Sequence, residues 1–509
     1  MTKPYICIEK INESFLKLDS DDVGILRELY DYYSFYAQGY RFNPSYQSHL
    51  WDGKIHLVNS KKMTTLLGLR YSIQEFCQKR DYDFFDKSST EEEVEDISTL
   101  DSFIESLKLP FTPRDYQLEA IKYALKNQKC VLLSPTGSGK SLIQYIILRW
   151  HFAHNRKICL VVPTISLVEQ MLNDFRNYSK DDDSFDVDKL CTPLYGKKKN
   201  DPFEAKILIS TWQSIKNFDK SLFQTWDAVM IDECHGASAN CLKKILEGAI
   251  NAKVKIGATG SLSGEEIHEY LLSGLFGKIY QVTTTKDLQN NGTLSQLRIY
   301  FVTLQHTKER VKKFYNTYGT TIETENGTKV LQKPTYADEV EFLTTDEKRQ
   351  LFVRNIALSC KGVVLVLFNR IEQGKDLYEK IKAKSGEREV FYIAGEVSAD
   401  EREKIRNIIR AGKGAILVAS VGTCSTGIDI PSIENVILCP SKSRIRNLQS
   451  IGRGLRIDKD KNSCTIIDIV DSFSSYRRHK SYSVKHAAVR YGIYEEQKFP
   501  IKFQTIENF

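Results

Sequence analysis

The chain has 509 residues, too many for one hydrophobic core and enough for two to four domains of about 100–200 residues each. With 41% hydrophobic and 27% charged residues, the composition is that of a folded globular protein and excludes a largely disordered or fibrous one. Lys and Arg number 72 against 65 Asp and Glu, a net charge of +7, which permits a polyanionic partner without requiring one.

The N-terminal MTKPYICIEKINESF lacks the apolar centre of a signal peptide. No run of eighteen apolar residues occurs, so neither a membrane span nor a membrane partner is expected. The 11 cysteines are scattered with no CxxC pair, which leaves no zinc ribbon and points to a reducing compartment, the cytoplasm. Residues 1–87 read as a small α+β unit, with ICI and KIHLV as short strands and a helix from Asp21 to Tyr36 whose acidic start suits the helix dipole. Residues 88–106, containing EEEVED, read as an acidic, solvated linker.

From residue 107 onward, short apolar runs alternate with amphipathic stretches. The runs CVLLS, ICLVV, KILIS, AVMID and KIGAT form one series, and VVLVLF, VFYI, AILVAS, NVILC and CTIID a second. Strands apolar on both faces that alternate with helices predict parallel α/β domains. Two series predict two of them, over 107–285 and 286–474. Thr307–Gln350 reads as a polar, irregular insertion with a turn at Asn326-Gly327. Residues 475–509 read as a basic, aromatic helical segment.

Ser134-Pro135-Thr136-Gly137-Ser138-Gly139-Lys140-Ser141 lies between the strand CVLLS and the helix SLIQYIILRW. Glycines there let backbone N–H groups face a phosphate, and the helix N-terminus adds favourable potential. Lys140 is placed for the β/γ-phosphates of ATP and Ser141 for Mg²⁺. Asp232-Glu233-Cys234-His235 ends the strand AVMID. Asp232 there suits Mg²⁺ and Glu233 suits polarising the attacking water. His235 is read as coupling the nucleotide site to the rest of the protein. Gln449-Ser-Ile-Gly-Arg-Gly-Leu-Arg456 puts Arg453 and Arg456 three apart on one helix face, as cations for the γ-phosphate, with Arg456 as the finger.

Together, in this order and spacing over roughly 360 residues, these motifs resemble those of superfamily 2 helicases in their DECH form. The resemblance implies two tandem RecA-like domains and ATP bound between them. It implies that Arg114 and Gln117 read the adenine and that Gly427 and Asp429 touch the nucleotide. DNA contacts are implied for Pro163, Thr164 and Gln170, for Thr211, Trp212 and Gln213, and for Asn369, Arg370, Gly395 and Thr426. Such hydroxyls and helix N-termini hold phosphates without reading sequence, as a stepping motor requires. Ala258-Thr259-Gly260 stands where the family has Ser-Ala-Thr, so the link from hydrolysis to movement departs from the pattern.

At the ends, GYRFNP with WDGK, and HAAVRYGI with EEQKF, resemble the phage recombination and branch-migration helicases of the UvsW type. That implies a DNA helicase or translocase for forked and Holliday-junction-like DNA in recombination, replication and repair. It also implies duplex contact by the N-terminal unit, with Arg41, Trp51 and Lys54 as contacts, while Trp51 and Phe42 also read as that unit's core. A monomer in the host cytoplasm is expected, with a single-strand DNA-binding or recombinase protein as a further partner. Other readings of the same motifs are an RNA helicase, a double-strand translocase without unwinding, and a non-enzymatic nucleic-acid clamp.

Overall fold

The structure, a computed structural model, describes residues 3–509 except 38, 89–94, 197–200, 237–238, 263–265, 324–328, 333, 395–406, 408–413, 423–432, 440–462 and 475–480. Two compact units are present. One comprises Met1–Ser134 with Gly139–Thr283, and the other Thr284–Phe509 with Pro135–Ser138.

The first unit begins with a five-stranded sheet in the order Val58–Asn59, Thr64–Leu66, Phe15–Asp19, Tyr5–Lys10, Asp83–Asp86. The alternation in FLKLD buries Leu16 and Leu18 and exposes Lys17, as one face against a core demands. The first helix runs from Val23 to Tyr32, capped by Asp22 on the Gly24 N–H. It stops short of Tyr36 because the Ser34 hydroxyl donates to Tyr30 O, and Ser34–Tyr36 pairs instead with Lys54–His56. KIHLV therefore serves two sheets, with Val58–Asn59 in the larger one.

The N-terminal sheet is fastened to the α/β part of the same unit. Buried Lys255 donates to Glu13 O, Ser14 Oγ and Leu246 O at 2.7–2.9 Å. Gly68 lies so close to the helix Glu266–Phe276 that a Cβ there would sit 2.0 Å from Ser273 O. Residues 95–107 are not a free linker. The buried Glu95 carboxylate accepts from Arg156 at 2.5 Å and Trp150 Nε1 at 3.0 Å, and Leu100 and Leu107 enter the core. Charge alone hid this, because a carboxylate in an acidic run looks solvated until its arginine is known.

Seven parallel strands follow in the order Cys191–Leu194, Ile207–Thr211, Ile158–Val162, Ala228–Ile231, Val254–Thr259, Lys129–Leu133, Lys278–Gln281. The five central ones are the predicted apolar runs. The two edge strands carry Pro193, Lys278 and Gln281, whose polarity at a sheet margin blurs the pattern.

The second unit holds another parallel seven-stranded sheet, ordered Val390–Ile393, Ile416–Ser420, Val363–Phe368, Ile433–Leu438, Ser463–Ser472, Gln296–Gln305, Ile501–Ile506. The described part of 307–350 is regular secondary structure rather than irregular. It contains the helices Lys308–Tyr318 and Tyr336–Thr345, a hairpin Thr320–Glu323 with Lys329–Gln332, and the start of the helix Glu347–Ser359. Asn326-Gly327 lies outside the described residues. The C-terminal segment carries the expected helix, Tyr482–Glu496, and also the edge strand Ile501–Ile506. That strand pairs with Gln296–Gln305, and Phe509 packs against His306 and Phe352. Among the described residues, no helix is long and apolar enough to cross a membrane.

Candidate functional site

The strand Lys129–Leu133 delivers the chain into a tight loop. Ser134 N–H donates to Thr259 O on the next strand at 2.8 Å, and the Ser138 hydroxyl donates to Pro135 O at 2.7 Å. Gly137 and Gly139 take φ of 85° and 81°, which only glycine adopts freely. Gly139 caps the helix Lys140–Ala153, and a Cβ on it would meet the Gln117 amide nitrogen at 2.3 Å. This helix is buried from Leu142 to His151, so the position of Lys140 is set by packing. Backbone N–H groups at its N-terminus form a ready anion site.

The Lys140 ammonium lies 3.2 Å from Glu233 Oε1 and donates to Ser134 O at 3.3 Å. Asp232 follows the strand Ala228–Ile231 and is buried, its Oδ1 accepting from Gln144 Nε2 at 2.9 Å. The two neighbouring carboxyls separate electrostatically. Burial, then the charge of Glu233, pushes Asp232 above the usual carboxylate range. Burial also opposes ionisation of Glu233, but the Lys140 ammonium and His235 bring it below that range. Glu233 holds φ at 46°, a strained backbone for a residue with a side chain.

Asp232 thus has a neutral partner while the nearby ammonium serves Glu233, and a divalent cation would relieve that imbalance. One or two carboxylates beside substrate phosphates are what Mg²⁺ takes, so the residues fit. No group of three His, Cys, Asp or Glu side chains suited to a metal occurs among the described residues. Ser141, the other expected ligand, hydrogen-bonds through Oγ to the Tyr178 hydroxyl at 2.8 Å.

His235 Nδ1 is 2.5 Å from Thr259 Oγ1 and 3.3 Å from Glu233 Oε2. The Thr259 hydroxyl donates to Ser261 O at 2.8 Å, which leaves it accepting from the imidazole. Burial pushes His235 below its ordinary pKa. Gly260 N–H reaches Glu233 Oε2 at 3.4 Å. Glu233 is therefore tied to Thr259-Gly260.

Gln117 is buried, its Oε1 accepting from the Arg114 N–H at 2.8 Å, while Arg114 itself reaches the Tyr116 hydroxyl at 3.1 Å. Thr164 follows the strand Ile158–Val162 and caps the helix Ile165–Tyr178 on Leu167 N–H, with Pro163 before it and Gln170 exposed one turn on. Thr211 ends the neighbouring strand and caps Ser214 N–H. Trp212 is half-buried and Gln213 exposed. The two threonines thus stand beside one another at the C-terminal edge of one sheet. In the second unit, Asn369 is exposed and Arg370 half-buried at the start of the helix Ile371–Lys382. Gly395, Thr426, Gly427, Asp429, Arg453 and Arg456 lie outside the described residues.

In the N-terminal sheet's outer lobe, Lys54 Nζ lies 5.1 Å from the Tyr36 ring, which stacks on Tyr40 at 4.5 Å, and Arg41 covers Tyr40 in turn. Trp51 is half-buried and donates to Lys54 O at 2.8 Å. Phe42 is not core, being 86% exposed. Gln144 and Tyr178 were missed by sequence reasoning. Gln144 had a faint signal, as the polar residue one turn after Lys140 in an apolar helix. Tyr178 had none, because its partner is 37 positions away.

Comparison with known proteins finds relatives that span most of the chain. Residues 7–86 match the family described as DNA helicase UvsW, N-terminal. Residues 110–263 match the type III restriction enzyme res subunit, and 347–458 the helicase conserved C-terminal domain. The ATP-dependent DNA helicase uvsW of Enterobacteria phage T4 is 30% identical over 515 residues, covering 97% of this chain and 98% of the relative. The chain belongs to the UvsW family of superfamily 2 helicases. The crystal structure of T4 UvsW aligns over 99% of both chains at 28% identity, with a TM-score of 0.49. A DNA-bound type ISP restriction-modification enzyme, LlaBIII, aligns over 78% of this chain and 32% of its own at 16% identity and a TM-score of 0.53, a likeness of fold. As a member of the UvsW family, the chain is an ATP-driven enzyme.

Proposed function

We propose that this chain hydrolyses ATP at its phosphate loop and uses the cycle to unwind or branch-migrate forked and Holliday-junction-like DNA in recombination, replication and repair. The observation that carries the motor reading is the Lys140–Glu233 pair at 3.2 Å, set between a glycine-shaped loop and the buried Asp232. The branched-DNA reading is supported by a likeness to UvsW that runs through the N-terminal unit as well as the motor.

In this mechanism the loop N–H groups and Lys140 hold the β/γ-phosphates. Ser141 and Asp232 would hold Mg²⁺, which would supply charge neutralisation at the phosphates. When Lys140 turns from Glu233 to a phosphate, the freed carboxylate is already ionised and accepts a proton from the attacking water. Arg453 and Arg456 supply positive charge to the γ-phosphate, and Arg114 and Gln117 hold the base. Glu233, His235, Thr259 and Gly260 pass the state of the γ-phosphate to the strand ends where Thr164 and Thr211 meet the DNA backbone. On the outer lobe, Arg41 and Lys54 contact duplex phosphates while Trp51, with exposed Phe42, faces the junction.

The test is an ATPase and strand-displacement panel over linear duplex, fork, four-way junction, RNA duplex and RNA–DNA hybrid. Forks and four-way junctions are expected to be processed several-fold faster than linear duplex or RNA. Equal rates on every substrate would overturn the branched-DNA reading.

A further inference from the structure

The first unit contains a groove of about 720 Å³ where the N-terminal sheet meets the α/β part. Its lip is the turn between the strands Val58–Asn59 and Thr64–Leu66, which carries Lys61 and Lys62. The Asn59 side chain fixes that turn by accepting from the N–H groups of Lys61 and Lys62 at 3.1 and 3.0 Å. The opposite wall supplies Lys220, at the start of the helix Lys220–Phe223, and Lys243 of the helix Ala239–Gly248. Among the described residues, no carboxylate lies within 4.0 Å of any of these four ammonium groups. Elsewhere in this unit Lys3, Lys10, Arg70, Arg80, Lys129 and Arg156 bridge to carboxylates.

Four lysines from three separate elements therefore face one concavity without an ion pair, although Lys243 and Lys220 act on Glu247 at longer range. The polar groups between them include Asn59, Ser60, Thr64 and His56, and Glu247 is the one acidic residue in the lining. Holding like charges together costs free energy that an anionic occupant returns. Phe15, Tyr30 and His56 also line the groove, but all three are half-buried and Tyr30 stacks on His56 at 4.8 Å. The groups that reach out are therefore ammoniums on flexible stems, which suit a phosphate backbone rather than unpaired bases. The two walls belong to one compact unit and are pinned by Lys255 and by the close approach at Gly68. A backbone gripped here would keep a fixed position relative to the phosphate loop's own sheet.

We propose that this groove is a second duplex-DNA site, in which Lys61, Lys62, Lys220 and Lys243 hold the phosphodiester backbone of a duplex arm. It is separate from the Arg41–Lys54 lobe and rests on the DNA-helicase reading above. Glu247 opposes binding and sets its strength.

The test uses the full-length chain with all four lysines changed to Ala, and Glu247→Gln separately, measured by fluorescence anisotropy on a fork and on single-stranded DNA over a salt series. Single-strand-stimulated ATPase is assayed in parallel. The quadruple variant should lose at least tenfold in fork affinity. Its slope of log K against log salt should flatten by about 3 to 4, since each backbone contact contributes about 0.9. Single-strand affinity and ATPase should stay within about twofold, and Glu247→Gln should bind forks more tightly. Unchanged fork affinity and slope, or an equal loss on single strands, would overturn the groove assignment. So would selective loss of an Asp/Glu-rich peptide instead of the fork, which would give the groove to an acidic protein segment. Absence of DNA-stimulated ATPase in the unaltered chain would instead overturn the helicase reading.

Discussion

Lys140 and Glu233 show how two residues of ordinary type become a close charge pair beside a glycine-shaped loop. Each adjoins a buried element, and at 3.2 Å the ammonium favours the ionised carboxylate; in the proposed reaction phosphate draws the ammonium away. Lys140→Ala and Glu233→Gln should therefore each lower DNA-stimulated ATP turnover by at least 100-fold while fork affinity changes less than threefold. A phosphate-release assay beside anisotropy measures both, and normal turnover in either variant would remove these residues from the site. The phosphate loop was plain in the sequence because its chemistry is local. Gln144 on Asp232 and Thr259 beneath His235 were not, because each pairing joins residues 88 and 24 positions apart.

At the scale of elements, burial decides what each helix tolerates. In the helix Lys140–Ala153, His151 is fully buried and its Nδ1 accepts from Arg156 Nη1 at 2.6 Å. Burial, then Arg156, depresses its pKa to about 3. With the folded pKa below the unfolded value near 6.5, the neutral ring stabilises the fold fully above pH 6.5, and that contribution is lost as pH falls from 6.5 toward 3. At pH 5 the loss reaches about 2 kcal/mol. His151→Gln keeps an acceptor for Arg156 without titrating, so its stability gap to the unaltered chain in urea should close by about that amount between pH 7.5 and pH 5. A gap that does not move with pH would mean that His151 is solvated.

Gly68 supplies a second case at this scale. With a Cβ 2.0 Å from Ser273 O, Gly68→Ala must displace the helix Glu266–Phe276 or the turn, at a cost of about 1–3 kcal/mol. Limited proteolysis should then cut the N-terminal residues free of the motor, whereas unaltered resistance would show that the contact gives way cheaply.

At the scale of the whole molecule, the proposed reaction draws on residues far apart in the chain. The phosphate loop's lysine and the Asp232–Glu233 pair belong to the first unit, while Arg453 and Arg456 belong to the C-terminal half of the chain. Arg456→Ala should bind ATP within a few-fold of the unaltered chain yet lose at least 100-fold in hydrolysis, because its charge acts on the transition state more than on bound ATP. Nucleotide binding lost in step with hydrolysis would make Arg456 a binding residue instead.

The sequence by itself determined the two parallel sheets and marked the glycine-rich loop as the candidate nucleotide site, since apolar strand runs and such a loop are short-range patterns written in consecutive residues. It did not determine the edges. Cys191–Leu194, Lys278–Gln281 and Ile501–Ile506 become strands because a neighbouring strand offers its backbone, not because their own side chains demand it. Tertiary structure alone decided that Glu95 is a buried anchor rather than linker, that Phe42 faces water rather than the core, and that four lysines spread over nearly two hundred positions line one groove. Each of these depends on which distant charge or surface lies opposite, and that information exists only once the chain has closed on itself.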